Sequence, residues 1–113
     1  MRAVLIAPAE EPQKVEITGK SLDELYQILN CEYVEMIRLH EDTVMWFDGD
    51  AKATGKPRNE AATKFLQFAG GMYGDYVAGS ILITGVDDEG EIAEADLKAF
   101  MDAVEAYEKN KDR

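Results

Sequence analysis

"RAVLIA", residues 2–7, decides how this chain folds. It is an unbroken apolar run rich in strand formers, the pattern of a strand buried on both faces in the middle of a sheet. "SILIT", residues 80–84, repeats the pattern far along the chain, so two central strands are expected to come from opposite ends of the sequence. Between them the periodicities change. "KVEIT" (14–18) alternates like a half-exposed neighbour of the first strand, with "PAEEPQ" (8–13) as the turn. "SLDELYQILN" (21–30) has Ser21 at an N-cap and Glu24 three residues on, a capping box, with Leu22, Leu25, Ile28 and Leu29 on one helical face. "YVEMIRL" (33–39) and "TVMWFD" (43–48) read as a hairpin joined through "HED". "NEAATKFLQFA" (59–69) places Ala61, Phe65, Phe68 and Ala69 at helical spacing and stops at Gly70 and Gly71. From about Ile92 a last helix is expected, burying Leu97, Phe100, Met101, Val104 and Tyr107, before a frayed tail at 110–113.

The expected fold class is α+β: a two-layer sandwich with a mixed sheet of about five strands, in the order β-β-α-β-β-α-β-α. Its 113 residues, 46% of them hydrophobic, suit a single domain over 1–113. No apolar run is long enough to span a bilayer and the start lacks a secretory apolar region, so a cytoplasmic protein is expected. The single cysteine, Cys31, cannot make an internal disulfide.

Charge divides the chain. The net charge is −11, and residues 21–50 carry eight acids against Arg38 alone. Residues 51–70 reverse the sign, with Lys52, Lys56, Arg58 and Lys64 against Glu60. This basic island lies in "GDAKATGKPRNEAATK" (49–64), which imitates a phosphate loop. A true loop of that kind needs four residues between its glycines and a hydroxyl after the lysine. Here five residues separate Gly49 from Gly55, and Pro57 follows Lys56, so the motif fails. A weaker anion site survives as an expectation: Lys52, Lys56, Arg58, Asn59 and Thr63 grouped at a helix N-terminus. The plain alternative is that the cations only answer the surrounding acids.

Other candidates each have an ordinary reading. "GVDDEGEIAEAD" (85–96) imitates a calcium loop but has Gly85 where a carboxylate is needed, so a turn explains it better. Asp48 and Asp50 offer two carboxylates at a strand end, without a partner cluster. His40 falls in the expected hairpin turn, away from any paired nucleophile, and Glu35 reads as a partly buried strand acid. No catalytic residue, metal or cofactor is assigned. "GGMYGDYVAG" (70–79) sets Met72, Tyr73 and Tyr76 among glycines, which suits either a partner-binding surface or cover for the core edge.

"RAVLIAP", "VEMIRL", "PRNEAAT" and "VAGSILITG" together resemble a family of small phage and plasmid proteins catalogued as domain of unknown function 3846, over the chain to about Gly85. The resemblance implies a mobile-element accessory protein in a bacterial cytoplasm, brings no settled activity, and marks Asn59, Ala62 and Thr63 as matched positions. The longer lead "GDAKATGKP" departs from that pattern.

Two functions are expected from these features. The first is a non-catalytic protein that binds a host protein with a basic surface and inhibits a defence system through its own acidic surface. The alternative is a protein that sequesters a nucleotide-like small molecule on the basic island. Direct nucleic-acid binding and membrane association do not fit the charge or hydropathy, and the oligomeric state is open.

Overall fold

The computed structural model describes residues 1–40, 43–68 and 76–94. Its elements are β1 (Arg2–Ile6), β2 (Gln13–Glu16), α1 (Leu22–Leu29), β3 (Val34–His40), β4 (Thr43–Asp48), α2 (Glu60–Phe68), β5 (Ile81–Val86) and β6 (Ile92–Ala93). The sheet order is β2-β1-β5-β4-β3, with β6 pairing β5 off that path, and every pairing is antiparallel. The fold is therefore α+β, and the sheet is antiparallel where a mixed one was expected.

The two apolar runs take the central places. β5 is buried at all six positions, and β1 lies between it and β2. Because successive strand residues point to opposite faces, β1, β4 and β5 build two cores. Val4, Ile6, Met45, Ile81 and Ile83 pack on one face with Ala62 of α2. Ala3, Val44, Trp46 and Leu82 pack on the other with Leu25 and Leu29 of α1. Among the described residues one helix lies on each face, so the arrangement is helix, sheet and helix where a two-layer sandwich was expected. The buried Trp46 indole donates to Thr84 Oγ1 at 2.8 Å, which satisfies the only polar atom of that ring.

At the far end of β5 the expected helix gives way. Ile92 and Ala93 pair with Val86 and Gly85 as β6. The connecting turn forms because Asp87 Oδ1 accepts from the backbone N–H of Glu89 and Glu91, both at 2.9 Å. Gly85 is required there: a Cβ on it would lie 2.7 Å from the Glu94 carbonyl oxygen. The calcium-loop imitation is thus the turn of a β hairpin. The rest of the expected last helix, with its tail, lies outside the described residues, as do Ala69, Gly70 and Gly71 at the expected end of α2.

α1 is capped differently from the expected capping box. Ser21 has extended backbone and makes no side-chain capping bond. Glu24 instead reaches past it, accepting from the Thr18 N–H at 2.8 Å, the Gly19 N–H at 3.0 Å and the Thr18 hydroxyl at 3.0 Å. Leu25 and Leu29 are buried as expected, whereas Leu22 is 44% exposed.

These bonds, the Thr18 amide foremost, lower the Glu24 pKa below its ordinary 4.5. A carboxyl depressed on folding stabilises the fold above its unfolded pKa, and that contribution is lost as pH falls through the folded value. Glu24→Gln should therefore lower the urea midpoint at neutral pH, with the difference from the parent shrinking below about pH 4.5 and closing in stronger acid. Urea titrations across that range check it.

Candidate functional site

The basic island is not one site, because its residues face in different directions. Lys56 turns inward. Its ammonium contacts Asp48 Oδ2 at 2.8 Å and donates to the carbonyls of Asn30 at 2.6 Å and Leu29 at 3.2 Å. α1 has no basic residue in its last turn, so Lys56 supplies the positive charge that a helix C-terminus favours. Asp48 is 6% exposed, and its other oxygen accepts the Asp50 N–H at 2.8 Å, forming a turn. All three ammonium donors of Lys56 have acceptors within the protein.

Asn59 and Thr63 are also internal. Asn59 is fully buried; its amide nitrogen donates to the carbonyls of Ile6 and Gly79, both at 2.9 Å. Its amide oxygen accepts the Ala62 N–H at 3.1 Å, the N-cap bond of α2. The Thr63 hydroxyl donates to the Asn59 carbonyl and accepts from the Val77 N–H, each at 2.8 Å. Both side chains join elements together and neither reaches the surface.

Lys52 and Arg58 form the outward part of the island. The Lys52 ammonium lies 4.5 Å and the Arg58 guanidinium 5.0 Å from the centroid of the Tyr76 ring. Arg58 also pairs with Glu60 at 2.6 Å, both groups exposed. Of the three expected partner-binding residues, Tyr76 stands here, and Met72 and Tyr73 lie outside the described residues.

Tyr76 opens onto a groove of about 670 Å³ on the α2 face of the sheet. Tyr33, Glu35 and Ile37 form its β3 side, Met45 and Phe47 its floor, and Tyr76 its opposite wall. Two large apolar side chains next to it are open to solvent, Tyr33 at 51% and Met36 at 44%. Tyr33 reaches its place by lying over Gly49, where a Cβ would come within 2.5 Å of the ring. Glu35 in the groove lining is exposed, and so are Glu32 and Asp50, next in sequence to the lining residues Tyr33 and Gly49. Glu35 is thus a surface acid where partial burial was expected. The sequence reading named Tyr76 and did not name Tyr33 or Met36, whose signal is apolar residues at and just before a strand that also carries charge.

Other candidate chemistry is dispersed. Among the described residues no three His, Cys, Asp or Glu side chains come together in a way that could hold a metal ion. His40 was expected in the hairpin turn and instead ends β3, paired opposite Thr43. Cys31 is partly buried, and burial first, then the Asp48 carboxylate, push its thiol pKa up, which favours the unreactive thiol form. No described helix is long and apolar enough to cross a membrane.

The division of the island has a measurable consequence. Lys56→Met should cost about 2 kcal/mol of folding free energy, because it strands the Asp48 carboxylate, and adding Asp48→Asn should recover part of it. Asn59→Ala should cost about 3 kcal/mol through three lost bonds and two orphaned carbonyls. Lys52→Met and Arg58→Met should stay within about 0.5 kcal/mol of the parent. Chemical denaturation of the series reads all of these, and equal losses at Lys52 and Lys56 would contradict the division.

No curated protein and no solved structure matches the chain. Comparison with known families matches residues 1–105 to "Domain of unknown function (DUF3846)". That span holds the Asn59 joint, the Lys56 clamp and the groove beside β3, and the chain belongs to the DUF3846 family.

Proposed function

We propose that this chain is a non-catalytic binding protein that takes a basic region of another protein on the groove beside β3. The observation that carries this reading is the groove itself, an apolar floor of Met45 and Phe47 flanked by exposed Tyr33 and Met36, with exposed Glu35 in its lining and exposed Glu32 and Asp50 next in sequence to the lining residues Tyr33 and Gly49. Tyrosine and methionine are enriched where proteins meet, and acids at a rim steer a cationic partner and raise its on-rate. A net charge of −11 strengthens that steering. The polar groups that chemistry would need are engaged elsewhere, Asp48 by Lys56 and Thr63 by the backbone. In a phage or plasmid setting the partner would be a host protein whose basic surface ordinarily receives nucleic acid, and occupying that surface would inhibit a defence system in the bacterial cytoplasm.

Capture of a nucleotide-like ligand is the second reading. It rests on Lys52 and Arg58, both close to the Tyr76 ring at the groove wall. It ranks second because Lys56, Asn59 and Thr63, the centre of an anion site in the sequence, are bonded inside the protein.

Retention of host proteins by the immobilised chain should fall steeply between about 50 mM and 500 mM salt. It should also fall at least tenfold in the double variant Tyr33→Ala, Glu35→Lys, read by mass spectrometry. Retention indifferent to salt and to those substitutions would remove the reading. A thermal shift with nucleoside phosphates that disappears in the double variant Lys52→Ala, Arg58→Ala would favour the second one instead.

A further inference from the structure

The strand path β2-β1-β5-β4-β3 ends on two strands that are built differently. β2 is four residues long and presents Gln13, Lys14 and Glu16 to solvent, the short polar edge that resists pairing with another chain. β3 runs for seven residues, Val34–His40, and carries Val34, Met36 and Ile37.

The hydrogen-bond phase of β3 follows from one contact. The Gly49 N–H donates to the Tyr33 carbonyl at 2.9 Å. The register continues as Val34 opposite Asp48, Glu35 opposite Phe47, Met36 opposite Trp46 and Ile37 opposite Met45. In an antiparallel ladder bonded and non-bonded pairs alternate, so Tyr33, Glu35 and Ile37 turn their backbone toward β4. Val34 and Met36 turn theirs away, and no strand pairs with them there among the described residues. The same stretch borders the groove: residues 33–37 all line it, Glu35 and Ile37 lying opposite Phe47 and Met45 on the α2 face and exposed Met36 opposite Trp46 on the α1 face.

We infer that β3 receives an extended segment of the partner protein as an added strand, a deduction that rests on reading the groove as the partner site. The backbone groups of Val34 and Met36 bond the incoming strand, and its alternate side chains divide between the groove and the Met36 side. Charge selects the occupant. A second copy of this chain would bring another −11 to the interface. A segment that alternates apolar and basic residues fills the groove and places cations beside Glu35.

The test uses the full chain and two fluorescent peptides. One is a short alternating Ile/Lys peptide, and the other has the same sequence N-methylated at every second residue, which keeps charge and side chains but removes one bonding edge. The plain peptide should bind at least about tenfold tighter than the methylated one. On binding, hydrogen exchange at the Val34 and Met36 amides should slow while that at Glu35 and Ile37 stays as it was. Met36→Pro, which deletes an outward N–H, should weaken binding about tenfold, and Met36→Ala much less. The exchange measurement stands without any variant, so a misfolded Met36→Pro chain would not decide the matter. Equal affinity for the two peptides, or no binding of either, would overturn the added strand. The salt-dependent retention of host proteins would still decide whether the groove binds a partner by side chains alone. Binding undiminished in Tyr33→Ala, Glu35→Lys would overturn the groove reading itself.

Discussion

The side chain of Asn59 is the joint on which the arrangement depends. It is fully buried, yet every polar atom it carries is bonded: two donors to Ile6 and Gly79, one acceptor to the Ala62 amide. A buried amide left unsatisfied is costly, so such a group tolerates one geometry and few others. That geometry joins the end of β1, the lead into β5 and the N-terminus of α2. The backbone follows the same seam, with the Asn59 N–H on the Val77 carbonyl at 2.7 Å and the Gly79 N–H on the Pro57 carbonyl at 2.8 Å. Ala62 and Thr63, one turn along the helix, complete it by being small and by bonding Val77. The segment "PRNEAAT", which carries much of the family resemblance, is accordingly a structural device.

From that joint the basic island divides by what each cation can reach. Lys56 has a stem long enough to extend to the C-terminus of α1, and there it finds a buried carboxylate and two helix-end carbonyls. A buried carboxylate beside a partly buried ammonium is compensated only when the remaining hydrogen-bonding positions of both are filled, and here they are. The clamp also fixes the turn after Asp48. Gly49 then leaves room for Tyr33, and Tyr33 stands at the mouth of the groove. A contact that reads as phosphate chemistry in the sequence thus shapes an apolar surface in the fold.

What the sequence disclosed follows the range of the interactions involved. Strands β1 and β5, helix α1 and the β3–β4 hairpin rest on periodicity and neighbouring turn residues, and all are where they were expected. The unbroken apolar character of β1 and β5 also implied cover on both faces, which a two-layer arrangement does not supply and one helix on each face does. Misreadings arose where long-range contacts decide. Glu24 had a choice between its own N-cap and the Thr18–Gly19 amides, and the loop from β2 brought the latter closer. Ile92 fits a helical pattern as well as a strand, and the free edge of β5 drew it into pairing. Asn59 was legible as an N-cap, but the two carbonyls to which its amide nitrogen donates lie 53 and 20 residues away in sequence. Nothing local could reveal them, or the direction in which Lys56 turns.

The edges of the sheet show how stability and recognition separate in this chain. A central strand such as β5 gains from both neighbours and both cores, so its sequence is constrained everywhere. An edge strand has one neighbour, and its outer row of backbone groups is a liability unless shortened, charged or covered. On β2 the liability is removed by length and polarity. On β3 the two charged residues do not remove it: Glu35 points into the groove side, while Val34 and Met36 keep outward backbone groups beside an exposed apolar side chain. Glu35 and Arg38 offset each other along the strand, so the net charge of −11 on the whole chain is what disfavours a second copy there and favours a cationic strand. The charge of the molecule, more than that of its edge, therefore sets the chemistry of what can pair with β3.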